Sequence, residues 1–227
     1  MKRFFAMLIL LVVVGCTAHA DEILFRGIPW GVSYPKMHEL IKADVVGEFE
    51  TEASEPSEIE YIDTGRTEND CGFNSGLWFA EGIDVAGYPL YNIWIVSRYG
   101  VLDGTVSDSP DDSYCISVEY ELKRLDDNET AYNDLHNKLT YLYGECECEE
   151  HAIRDGRRNE HCIWRGANET AVELVFNASI GSEGFEHGKM YIRYFKTDQD
   201  EIIAEIDMII DKQNLVDAYK DSNMTGL

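Results

Sequence analysis

Residues 115–122 read CISVEYEL, and their strict alternation is the tightest constraint in the chain. Ile116, Val118, Tyr120 and Leu122 fall on one side of an extended segment; Cys115, Ser117, Glu119 and Glu121 fall on the other. A helical period would scatter these two sets around a cylinder, so the segment is expected to be a strand with one apolar and one polar side. An antiparallel sheet covered on one side has that property. The same period marks Ile83–Tyr88 and Tyr91–Tyr99 before it, and Cys162–Arg165, Ala171–Asn177 and Met190–Lys196 after it.

Between the strand stretches the period changes. Residues 27–42, GIPWGVSYPKMHELIK, predict a turn and a short helix, with Pro35 in the first turn and Met37, Leu40 and Ile41 at helical spacing. Acidic residues 43–60 predict a loop. Residues 129–143 carry Tyr132, Leu135, Leu139 and Tyr143 on one helical stripe, closed by Gly144. A last helix is expected from a capping-box-like start at Thr197–Asp200, with Ile202, Ile206, Ile209 and Ile210 inward. The order predicts an α+β fold: antiparallel sheet with helices packed on one face, open to a reading as two helix-plus-three-strand repeats at 33–123 and 129–196. Residues 21–220 form one domain, or two lobes meeting near 124–130, and 221–227 are expected to fray.

The first residues, MKRFFAMLILLVVVGCTAHADE, place Lys2 and Arg3 before an apolar run from Phe4 to Val14. The run is too short for a permanent span and fits a secretory leader. Two cleavage readings stand open. Ala18-His19-Ala20 suits cleavage before Asp21, leaving a signal peptide of 1–20; Val13-Val14-Gly15-Cys16 resembles a lipobox that would leave a lipidated Cys16. Either places the protein in the periplasm, outside the cell, or tethered to the envelope through Cys16, the one expected membrane contact.

Net charge is −24, and loss of Lys2 and Arg3 with the leader makes it −26. Such a surface repels phosphate backbones, which argues against nucleic acid as a partner. Apolar residues at 44% and aromatics at 11% are the composition of a folded protein rather than a disordered acidic chain.

An oxidising compartment turns attention to the cysteines. Cys71, Cys115, Cys146, Cys148 and Cys162 are the disulfide candidates. A Cys148–Cys162 or Cys146–Cys162 bridge would close a loop of about 15 residues and stabilise by about 3 kcal/mol. Cys71 and Cys115 could pair across neighbouring strands or loops. Connectivity stays open, with one thiol left over in any scheme. The stretch CECEEHAIRDGRRNEHC also offers zinc ligand types at Cys146, Cys148, His151, His161 and Cys162. One residue between Cys146 and Cys148 is too few for a usual structural zinc pair, so a stapled loop is the expected role and no cofactor is expected.

Other motifs are weaker. Asp63-Thr64-Gly65 matches half of an aspartic-protease dyad, and no second triplet exists. Asp103, Asp108, Asp111 and Asp112 could gather calcium but lack the order of a calcium loop. Serine-hydrolase, zinc-protease, P-loop and dinucleotide motifs are absent from the sequence. His38, His136 and His187 stand singly, and Trp30, Trp78, Trp94 and Trp164 read as core or sheet-face packing.

The segment FRGIPWGVS, with Gly27, Ile28, Trp30, Gly31 and Ser33, resembles the start of many exported bacterial α+β proteins that open Gly-Ile-x-Trp-Gly-x-Ser. VAGYPLYNIWI and LTYLYGE stand where such proteins carry a strand pair and a second helix. In layout the repeats are similar to β-lactamase inhibitor proteins. The resemblance implies no catalytic residue. The expected function is a non-catalytic envelope or secreted module that engages a protein partner. The alternatives are a hydrolase or metal-dependent enzyme with an unrecognised site, and a calcium- or zinc-binding exported protein. Oligomeric state is not legible.

Overall fold

A computed structural model describes residues 21–52, 60–63, 67–69, 72–81, 84–123, 127–154, 157–181 and 184–224. The period-two stretches build a ten-stranded antiparallel sheet. Its first-half strands are β1 (Glu60–Asp63), β2 (Thr67–Asn69), β3 (Gly72–Glu81), β4 (Asp84–Val85), β5 (Tyr88–Arg98) and β8 (Tyr114–Leu122). The second half supplies β9 (Glu147–Arg154), β10 (Arg157–Arg165), β11 (Thr170–Gly181) and β12 (Gly184–Lys196). A separate hairpin joins β6 (Gly100–Leu102) to β7 (Thr105–Ser107).

Strand order is β1-β3-β5-β8-β12-β11-β10-β9, with β2 on β3 and β4 on β5. Two meanders therefore meet back to back at β8 and β12, where Glu119 faces Arg193 and Tyr120 faces Ile192. Each meander follows a helix: α1 (Tyr34–Glu52) precedes the first and α2 (Asn128–Tyr143) the second. Both helices pack on the same side. Tyr34, Met37 and Ile41 of α1 and Ala131, Tyr132, Leu135 and Leu139 of α2 share one buried cluster with Leu77, Ile93, Val118, Ile192 and Leu174 of the sheet. Asp127 caps α2 by accepting from the Thr130 N–H at 3.0 Å, and Gly144 ends it at φ +87° with its N–H on the Thr140 carbonyl at 2.9 Å.

The FRGIPWG segment is a plug between the two halves. Phe25 is fully buried, its ring 4.9 Å from that of Tyr120 on β8 and 5.4 Å from that of Tyr194 on β12. The Trp30 indole N–H donates to the Ile23 carbonyl at 2.8 Å, and the Ile23 N–H donates to Thr170 Oγ1 at 2.8 Å. The motif's role here is packing: it ties the shared core to both meanders.

A third helix, α3 (Gln199–Met224), contacts β7. Among its described side chains Ile206 is buried and lies outside the main cluster, whereas Met208, Leu215 and Val216 are exposed. Among the described residues, no helix is long and apolar enough to cross a membrane.

Four local expectations change. α1 continues to Glu52, through residues expected to form a loop, and carries Gly47 within it as a tolerated helix-interior glycine. The strand expected at Ile83–Tyr88 is broken by a turn at Ala86-Gly87, both at positive φ. The cysteine loop is mostly a hairpin, β9–β10, so the second meander has four strands rather than three. In CISVEYEL the alternation slips: Val96 faces Ser117 and Ser97 faces Cys115, leaving Ile116 as the extra residue of a bulge. Cys115 thereby joins the main core, away from the Glu119 side.

Candidate functional site

Opposite the α1–α2 side, successive strands place two ladders of unlike chemistry next to each other. One runs Gly76, Trp94, Glu119, Arg193, Glu173; the next runs Trp78, Asn92, Glu121, Tyr191, Val175, His161. Their alternation with core residues follows from the strand pleat.

The β3–β5 end is aromatic. Trp78 and Trp94 meet edge to face at 5.6 Å, and Tyr91 meets Trp78 at 4.9 Å. Two backbone features assemble this trio. A Cβ on Gly76 would lie 3.0 Å from Trp78 Nε1 and 3.1 Å from the Trp94 ring, so the missing side chain is the space into which both indoles lean. Leu90 faces Leu122 while Asn92 faces Glu121, making Tyr91 the extra residue of a bulge. The bulge turns Tyr91 toward Trp78 and leaves it 39% exposed.

Toward β12 and β11 the face is charged. Glu121 accepts from Asn92 Nδ2 at 2.8 Å and pairs with Lys189 at 2.9 Å. Glu173 is buried and takes Arg193 on one carboxylate oxygen at 2.6 Å and His161 on the other at 2.8 Å. Arg193 also lies over the Phe195 ring at 4.9 Å. Burial pushes the Glu119 carboxyl up to about 7; Arg193 and Lys189 oppose the push, and Glu121 and Glu173 add to it. Burial likewise raises the Tyr191 phenol, and the bond to Glu121 raises Lys189.

A second cluster lies where α2 passes the chain to β9. His136 Nε2 is 3.3 Å from Cys146 Sγ, and the Tyr132 hydroxyl is 3.2 Å from Cys162 Sγ. The three ligand atoms of His136, Cys146 and Cys162 lie within 4.8 Å of one another. Cys162 is disulfide-bonded, and Cys148 is its backbone partner across β9–β10. Cys146 is a thiol, raised above its ordinary value by burial.

The expected zinc set is divided. His161 and Cys162 are neighbours on β10 and so point to opposite sides: His161 goes to Glu173, Cys162 to the helix side. His151 lies opposite Asn159 in the ladder. A sulfur held in a disulfide is no thiolate ligand, so His136 and Cys146 are the donors this cluster offers as it stands. His136 was not among the expected ligands. Its only sequence signal is its place on α2 four residues after Tyr132, beside the buried stripe.

Cys115 and Cys146 were expected among paired cysteines, and both are thiols. Cys115 has Ser97 opposite it in the register, its sulfur is 3.5 Å from the Ser117 carbonyl, and burial pushes its thiol up to about 12. Cys16 and Cys71 lie outside the described residues, as do Thr64 and Gly65 of the protease-like triplet. Asp63 lies 3.3 Å from Lys42 and 3.4 Å from His38. Among the described residues Asp103, Asp108, Asp111 and Asp112 do not gather at ligand distance, and Asp112 accepts from Ser107 at 2.6 Å. Trp164 is fully buried, its indole N–H on the Gly144 carbonyl at 3.1 Å.

No family model matches this chain, and neither a curated protein nor a solved structure matches it.

Proposed function

We propose that this chain is an exported, non-catalytic module that binds a protein partner through the sheet face carrying Trp78, Tyr91 and Trp94. The observation that carries the reading is the junction of this aromatic trio with Glu119, Glu121 and Lys189 on the half-buried side of the sheet opposite α1 and α2, with Tyr91 and Lys189 exposed at its surface. Aromatic side chains with few rotamers supply contact area at low entropic cost, and flanking charges give register. The partner segment this face suits presents lysine or arginine next to apolar side chains. It would lay the apolar groups on the indoles and its cation near Glu119 and Glu121. A net charge of −24 would steer such a cationic segment toward the protein.

Export is supported by the leader at residues 1–20 and by a bridge at Cys162, a bond that oxidising compartments sustain. Whether the mature protein starts at Cys16 or Asp21 sets only whether it is tethered. The layout of two helix-plus-meander units is compatible with the resemblance to exported α+β proteins and β-lactamase inhibitor proteins.

The test is a photo-crosslinking residue at position 91, compared with one at position 141, in the cells that make the protein. Tyr141 is 90% exposed at the end of α2, away from the aromatic trio. A discrete adduct at 91, absent at 141 and lost on Trp78→Ala, is the expected result. Equal labelling at both positions, or none at 91, overturns the reading.

A further inference from the structure

The cluster at Cys146 is independent of the sheet-face reading. Gly144 turns the chain out of α2, and the Trp164 indole holds its carbonyl. Two residues on, Cys146 returns beneath His136, whose ring is 5.5 Å from that of Trp164. Cys162 lies two residues before Trp164 on β10, hence on the same side of the strand. Tyr132 and His136, one helical turn apart, thus each reach a sulfur. Because a disulfide sulfur carries no proton, the Tyr132 hydroxyl is the donor to Cys162 Sγ and holds that sulfur in place.

We propose that Cys146, His136 and the Cys162 disulfide form an intramolecular thiol–disulfide exchange site, giving Cys162 two alternative bridges. The Cys146 sulfur attacks Cys162 Sγ. A Cys146–Cys162 bond forms, the bond from Cys162 to its present partner breaks, and that partner leaves as a thiolate. His136 Nε2 takes the Cys146 proton and passes one to the departing sulfur. One disulfide is lost and one gained, so no external oxidant or reductant enters. The strand register makes Cys148 the partner we assign to the resting bridge. Bridges from positions 146 and 148 close loops differing by two residues, so chain entropy barely separates them. The β9 ladder then decides the balance. Moving the bridge to Cys146 pins the start of β9 against α2 and releases a thiol at position 148.

The experiment uses the full mature chain, purified without reductant. It is incubated at pH 8 in thiol-free, oxygen-free buffer, quenched at intervals with acid, and alkylated. Tandem mass spectrometry of the tryptic peptide 139–154 then sites the label at Cys146 or Cys148. The expected result is label at Cys146 alone at the start, spreading to Cys148 over hours while Cys162 stays unlabelled. His136→Ala should slow this spread by about a hundredfold without changing its end point. Label that stays on Cys146 throughout overturns the proposal. Cys148→Ser supplies an independent arm, because among the described residues Cys146 is the cysteine whose sulfur lies within reach of Cys162. An alkylated Cys162 in that variant, with the far-ultraviolet spectrum of the parent, overturns the proposal as well.

Discussion

The two sides of this sheet use the same strands one residue out of phase, and they could hardly differ more. On the helix side, Leu77, Ile93, Val118, Ile192 and Leu174 are all buried in one apolar cluster. On the other, the adjacent positions are Trp78, Trp94, Glu119, Arg193 and Glu173, held by ring edges and ion pairs. The first side is specified by volume and tolerates little change. The second side is specified by pairing, and its outer members are open to solvent. This contrast separates the residues that make the fold from those available for recognition.

The largest effect should come from emptying the helix side. Leu174→Ala is expected to cost about 3 kcal/mol in urea unfolding, as the side chain is fully buried. Trp94→Ala, a larger truncation one sheet side away, is expected to cost less than about 1.5 kcal/mol while abolishing the adduct at position 91. Equal costs would mean that both sides are core and would break the comparison.

A smaller effect is expected within the charged ladder. Arg193→Met leaves the buried Glu173 carboxylate with His161 as its remaining ion-pair partner, a loss of about 2 kcal/mol given that Arg193 is itself partly exposed. Adding Glu173→Met to the same chain should recover most of that loss, since the stranded charge is then gone. If the double variant is no better than the single, the pair is not what holds this part of the sheet.

The last effect is a pH dependence. Folding raises the Glu119 carboxyl to about 7, so between its ordinary value and 7 the folded state binds more protons than the unfolded state. This group's contribution therefore favours the fold in acid and is lost as pH rises through about 7. Glu119→Gln should match the parent near pH 5 and melt at higher temperature than the parent at pH 8. A constant difference across that range would remove Glu119 from the titrating groups of this face.

Much of the fold was legible locally. Periodicity alone pointed to β8, β11, β12 and α2, because burial on one side of a strand or helix leaves its period in the chain. β9 was missed because CECEEHAIR has no apolar alternation: it pairs at the sheet edge, where β10 alone supplies hydrogen bonds. The site was less legible still. Tyr91 joins Trp78 only through a bulge, and Gly76 matters only because two indoles from different strands lean over it. His136 meets Cys146 only because Gly144 reverses the chain beneath its own helix.

By itself, then, the sequence determined the α+β class, an apolar run behind Lys2 and Arg3, a strongly acidic composition and a cysteine-rich segment in the second half. Each of these is a property of residues near one another in the chain, where period, charge and turn chemistry act. Tertiary structure alone decided that two meanders join at β8 and β12, that Cys115 is a buried thiol, and that His161 and Cys162 serve opposite sides of the sheet. Those outcomes depend on strand register, and a shift of one residue sends a side chain to the other face.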